Sequence, residues 1–274
     1  MMKKNICEHP NIVMIATLIT YAIGIHFDIG DSTWGMIPNR LFMGLIMLRI
    51  MYYVAGREIF IWTKKSGAYA ISRSFYQFIL ESITFVLCIE NARKLNDNWL
   101  YLFISLFIFT LCVGFSEEVL FRGIIVNGLV KVLPKNKAGL CWVLVVSGFV
   151  FGFIHVWECL FNIGINSISV IVQMTNKTLF TGAFGMLLAA IYLKTRNIWI
   201  CMIIHALNDF IASLAMLFLQ RGVSNIQYVD VAKTMNSVTA FYTIIPVLLF
   251  SIPNIIISLM ILKRLKPEEC IFWK

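Results

Sequence analysis

The sequence predicts an all-α fold, a polytopic transmembrane helical bundle of about eight spans, on three observations. Hydrophobic residues make up 59% of the chain and charged residues 14%, far from the roughly 25% charged content of an average soluble domain, and the mean hydropathy is +0.83. The apolar residues gather in runs near the about 20 residues that cross a hydrocarbon layer as a helix. Between runs, the basic residues concentrate in alternate loops, as the positive-inside rule requires. The formal charge of +9 therefore belongs to topology and does not imply a nucleic-acid partner.

The runs lie at 12–27, 37–55, 75–91, 99–118, 139–157, 178–194, 197–219 and 239–262. The first is short and follows Lys3 and Lys4, as a signal peptide would, but no small-x-small cleavage site follows Phe27, so it is read as a retained span. Asp28, Asp31 and Arg40 flank the second run on one side; Arg57, Lys64, Lys65 and Arg73 fill the loop on the other. A charge-balanced ENARKLNDN separates the third from the fourth, and Lys131, Lys135 and Lys137 separate the fourth from the fifth. Glu158 and Lys177, then Lys194 and Arg196, then Arg221, Asp230 and Lys233 occupy the next three loops, and Lys263, Arg264 and Lys266 begin the tail. This alternation places both termini on the cytoplasmic side of the lipid bilayer. Seven cysteines show no CxxC spacing and behave as small hydrophobes. With no internal repeat and no dividing linker, residues 1–274 read as a single membrane domain.

An ionisable group at bilayer depth costs at least about 2.5–3.5 kcal/mol on insertion scales, so the polar residues inside the runs carry the information. Glu81 and Arg49 are placed near predicted ends and set aside, which leaves Glu117, Glu118, Arg122, His155, His205, Asn208 and Asp209. Glu118 and Arg122 are four apart and can pair on one helix face. Glu117 lies about 100° around the helix and needs a partner from another helix, a water or a metal. The cluster can equally be a staple between helices. Phe151 and His155 share a face at i, i+4, although a lone histidine on an apolar helix is more often a core residue than a catalyst. His205 and Asp209 are again four apart, with Asn208 beside them, and can converge on a site or simply bond each other. Glu117 and His155 each stand 19 residues from Asn136, in the polar turn between their runs. In an antiparallel hairpin that spacing puts them at equal depth.

The three elements, EEVLFR (117–122), FGFIH (151–155) and HALND (205–209), resemble the CPBP family, the CAAX-processing and bacteriocin-processing (Abi) intramembrane proteases. The family pattern is EExxxR, FxxxH and HxxxN or HxxxD, and the chemistry it locates lies within 99–215. The resemblance implies peptide-bond hydrolysis of a membrane peptide or lipidated protein substrate. It implies that Glu117 with His155 activates water, that His205 and Asp209 bind the carbonyl oxygen, and that Glu118 and Arg122 aim Glu117. Asp209 fits the oxyanion role only if protonated; otherwise it orients His205, and Asn208 is an alternative donor. Glu117, His155 and His205 are also an acceptable set for a divalent metal such as zinc. The competing reading is a membrane protein without catalysis, a bacteriocin self-immunity or peptide-binding protein.

Overall fold

A computed structural model describes residues 8–25, 27, 33–57, 60, 62–92, 99–162, 164–218, 237–270 and 273. Lys3, Lys4, Asp28, Asp31, the Arg93–Asn98 part of ENARKLNDN, Arg221, Asp230 and Lys233 lie outside them. Among the described residues the elements are helical, with an isolated bridge between Phe60 and Asn197, so the fold class is all-α. The helices are α1 (Pro10–Gly24), α2 (Thr33–Val54), α3 (Lys64–Ala92), α4 (Trp99–Glu118), a π-helix (Val119–Val126), α5 (Asn127–Val132), α6 (Lys137–Ile154), α7 (Trp157–Asn162), α8 (Ile168–Thr195), α9 (Ile198–Phe218), α10 (Ser237–Tyr242) and α11 (Ile244–Lys263).

Each expected run coincides with a helix, but several boundaries differ. α3 and α8 begin ten or more residues earlier than the apolar runs suggest, because polar residues (KKSG at 64–67; Gln173, Thr175, Asn176 and Lys177) interrupt the hydropathy signal there. Glu118 does not end its helix. The chain continues from α4 through the π-helix into α5, so that Leu100–Val132 forms one helical stretch of 33 residues with the charged heptad in its middle. Pairing between Glu118 and Arg122 makes this tolerable in lipid, since each charge meets its opposite within the same helix. Among the described residues, four stretches are long and apolar enough to cross a membrane: Leu100–Val132, Lys137–Ile154, Ile168–Thr195 and Val238–Lys263, with Pro10–Gly24 and Ile198–Leu214 as shorter apolar helices. α2 and α3 fall below that measure because they carry Asn39, Arg40 and Arg49, and Arg73, Gln77 and Glu81.

The helices form two compact units. The first comprises 1–132, 195–226 and 272–274, the second 133–194 and 227–271. In the first, α4 packs between α2 and α9, α9 packs on α3, and α1 lies on the π-helix and α5. The core here is rich in methionine, whose unbranched chain fills the space glycines leave: Met51 lies against Gly123 of the π-helix and Met14 against Gly128. In the second unit α6 and α8 cross at glycines. A Cβ on Gly148 would stand 2.7 Å from the Gly182 carbonyl oxygen, and one on Gly152 would collide with the Thr178 carbonyl. Small residues at such crossings let helix backbones approach in lipid, where packing replaces the hydrophobic effect. Asn136 caps α6, its side chain accepting from the Gly139 N–H at 2.8 Å. Lys137 then donates to the carbonyls of Leu262 at 3.0 Å, Lys263 at 3.1 Å and Leu265, tying the start of α6 to the end of α11.

Candidate active site

The site in the first unit begins with a close helix crossing. A Cβ on Gly114 would lie 2.8 Å from the Met202 carbonyl oxygen and 3.1 Å from the Ala206 methyl. Only a residue without a side chain lets α4 approach α9 so nearly. One turn further along α4, Glu118 thereby reaches the neighbour of Ala206 in sequence. His205 Nδ1 lies 2.7 Å from Glu118 Oε1. The same oxygen stands 2.8 Å from Arg122 Nη1, so the pair expected from spacing is present and is shared with a third group. Glu118, Arg122 and His205 are all buried.

Glu117 finds its neighbour on α9. His205 Nε2 lies 3.8 Å from Glu117 Oε2 and 3.3 Å from Asp209 Oδ2. Both ring nitrogens of His205 thus face carboxylate oxygens. Glu118, already paired with Arg122, accepts the Nδ1 proton. A neutral ring would then turn a lone pair toward Asp209 and Glu117, so the contact is attractive only when a proton lies in it, on Nε2 or on a facing carboxyl. The π-helix begins immediately after Glu118. A π-turn inside an α-helix recurs at functional sites because it re-aims side chains on either side of an extra residue.

His155 belongs to the second unit. It closes α6 as the C-terminal cap, half-buried, with Nδ1 2.7 Å from the Phe151 carbonyl oxygen and its ring centroid 4.9 Å from that of Phe151. Here the i, i+4 spacing acts through the backbone of Phe151 as well as through its ring.

Several residues of the first unit join the cluster that the sequence reading passed over. The Tyr21 hydroxyl lies 3.0 Å from Ser116 Oγ. Ser116 Oγ donates to the Val113 carbonyl at 3.1 Å, so Tyr21 donates to Ser116, and Arg40 in turn hydrogen-bonds the tyrosine hydroxyl. This pins α1 and α2 to the turn that carries Glu117. On α3, Gln77 Nε2 donates to Glu81 Oε1 at 2.8 Å, both side chains buried, and meets Asn208 of α9. Glu81 is therefore an interior residue and not an end residue: α3 starts eleven positions before the apolar run, which moves Glu81 toward the middle of the helix. The i, i+4 spacing of Gln77 and Glu81 was the signal available.

His205 has Nε2 to offer a ligand while Glu118 holds Nδ1, the carboxylate–histidine arrangement that also orients metal-binding imidazoles. Among the described residues no group of three His, Cys, Asp or Glu side chains is arranged to hold an ion.

In comparison with known families, residues 98–211 match the Rce1-like family, described as type II CAAX prenyl endopeptidase Rce1-like. No curated protein and no solved structure matches the chain. The matched segment contains the EExxxR, FxxxH and HxxxD elements in order, together with the apolar helices of an integral membrane protein. Over this segment the chain is similar to the type II CAAX prenyl endopeptidases of the Rce1-like family.

Proposed function

We propose that the protein is an intramembrane endopeptidase that hydrolyses a peptide bond of a membrane-associated or lipidated substrate with a water activated by Glu117. The observation that carries this reading is the placement of His205 between Glu118 on one nitrogen and Asp209 and Glu117 on the other, an arrangement that holds a proton within reach of the base. Glu117 takes a proton from water, and the hydroxide adds to the substrate carbonyl carbon. The oxyanion accepts the Nε2–H of His205, whose charge Glu118 and Asp209 stabilise and whose ring they orient. Asp209 thus needs no proton of its own. When the C–N bond breaks, the proton held by Glu117 passes to the leaving amine, so the sum is peptide plus water to acid plus amine.

His155 joins Glu117 in the water-activating step that the family resemblance implies. Its Nδ1 proton is committed to the Phe151 carbonyl, which can only accept, so the neutral ring carries its basic lone pair on Nε2. The alternation of basic residues supports cytoplasmic termini, and the richness in Ile, Lys and Asn supports a bacterial plasma membrane.

The test uses purified protein in vesicles with two internally quenched probes, a prenylated peptide ending in a CAAX sequence and a membrane-inserted bacteriocin leader peptide, each with and without a chelator. Cleavage by the wild type and at least a 10²-fold lower rate in Glu117→Gln and His155→Asn is expected. Full activity of Glu117→Gln removes the proposed base. Chelator sensitivity restored by zinc replaces the metal-free route by a metal one. Self-protection against a bacteriocin that survives in Glu117→Gln supports the binding and immunity reading instead.

A further inference from the structure

The geometry points to Glu81, with Gln77, as a positioning residue of this site, acting through Asn208; the inference rests on the protease reading above. No family motif contains Glu81, and the matched segment begins only at residue 98.

Three observations converge. Glu81 is a buried carboxyl group on α3, 6% exposed, with Gln77 at 1% and Asn208 at 7%. A buried carboxyl is expensive unless hydrogen-bonded partners receive it. Second, its partners face α9 at the turn that carries Asp209. With the Asn208 amide nitrogen turned toward α3, it donates to Glu81 Oε1 while its oxygen accepts from the Asp209 backbone N–H at 3.3 Å. With the amide reversed, its oxygen accepts from Gln77 Nε2 at 3.1 Å and its nitrogen lies 3.3 Å from Asp209 Oδ1. In the first orientation the contact with Asp209 is to its backbone N–H alone; in the second, Asn208 holds the Asp209 carboxylate while Gln77, itself bonded to Glu81, holds Asn208. Third, Asp209 Oδ2 is the atom that stands 3.3 Å from His205 Nε2. In that second orientation the path from α3 to the imidazole runs Glu81, Gln77, Asn208, Asp209, His205, each step a polar contact between buried or half-buried groups.

The consequence is specific. α9 carries both His205 and Asp209, and helical i, i+4 spacing by itself does not set χ1 and χ2 of Asp209. A bond from Asn208 Nδ2 to Asp209 Oδ1 restricts those torsions, and the Gln77–Glu81 pair restricts Asn208 in turn. α3 therefore contributes to the geometry of the site without touching a reacting atom, as outer-shell partners do for catalytic groups.

The inference is tested with Glu81→Leu, Glu81→Gln, Asn208→Leu and the Glu81→Leu/Asn208→Leu double variant in vesicles, on whichever probe the wild type cleaves. Glu81→Leu is expected to lower kcat about 10- to 100-fold with KM unchanged, since substrate contacts are untouched. Glu81→Gln keeps an acceptor oxygen and is expected to restore most of kcat. The double variant is expected to be no slower than Asn208→Leu alone, because both substitutions break one path. Losses that multiply in the double variant, or an unchanged kcat in Glu81→Leu, overturn the inference. A second readout does not depend on cleavage: in 15N-asparagine-labelled protein, the Asn208 side-chain amide, assigned by its loss in Asn208→Leu, is exchange-protected in the wild type and loses protection in Glu81→Leu. An amide signal identical in the two proteins overturns the positioning role even if neither probe is cut. A wild type that cuts neither probe but shows the amide change defeats the protease reading while leaving the α3 to α9 link standing.

Discussion

His155 Nδ1 lies 2.7 Å from the carbonyl oxygen of Phe151, one turn back in the same helix. A carbonyl only accepts, so this bond selects the tautomer with the proton on Nδ1. The bond belongs to the backbone at position 151, and the Phe151 ring adds packing at 4.9 Å between centroids. Phe151→Leu, which keeps the carbonyl and much of the volume, is expected to cost less than about tenfold in probe cleavage, whereas His155→Asn is expected to cost about 10²–10⁴-fold. Equal losses in the two variants would contradict this division of roles.

Glu118 carries two cationic or proton-donating partners on one oxygen. Glu118→Gln leaves Arg122 buried beside a neutral amide, and removing one member of a buried pair costs about 3–5 kcal/mol. Thermal unfolding in detergent should therefore occur at clearly lower temperature for Glu118→Gln than for Glu117→Gln, although both lose activity. A Glu118→Gln protein as stable as the wild type would show that the pair contributes nothing to the fold.

Asp209 and an asparagine at that position make different demands on His205. The side-chain amide introduced by Asp209→Asn would donate to Nε2 or accept from it, since an amide can do either. Asp209→Asn is thus expected to retain cleavage within about one order of magnitude, a free-energy change near 1.4 kcal/mol, while Asp209→Leu loses the contact and falls further. Measured kcat for the two variants decides the point; an Asp209→Asn as slow as Asp209→Leu would mean that the carboxylate charge itself is required.

Gly114 sets the distance between α4 and α9. A valine there must push its Cβ against the Met202 carbonyl, a backbone atom that cannot move aside. Gly114→Val is expected to lengthen the Glu118 to His205 contact and abolish cleavage, with overpacking of about 1–3 kcal/mol read as a lower unfolding temperature. Gly114→Ala, with the same Cβ clash and no further bulk, should lie between the two.

Lys137 is the stability control in the second unit. Its ammonium satisfies carbonyls at the end of α11, where unpaired acceptors and the negative end of the helix dipole meet. Lys137→Met is expected to lose about 1 kcal/mol, seen as a reduced unfolding temperature, with kcat unchanged. A reduced kcat at unchanged stability would place Lys137 in the function and not in the fold.

Composition and charge distribution alone determined that this chain is an all-α membrane protein, because no other fold satisfies backbone hydrogen bonds in lipid with runs of this length. Local spacing was equally decisive for Glu118 with Arg122 and for Phe151 with His155, since i, i+4 contacts depend only on helical geometry. Which helices meet is a different matter. The partnership of His205 with Glu118 and Glu117 joins positions 87 residues apart in the case of Glu118, and it exists because Gly114 allows two backbones to approach, a property invisible until the neighbour of that glycine is known. Glu81 was set aside because apolar runs report where hydropathy ends and not where the helix does; only the packing of α3 on α9 brought it to Asn208. Periodicity follows from one chain's own geometry, whereas a site assembled from several helices follows from which surfaces fit, and that information is spread over residues that carry no polar signal at all.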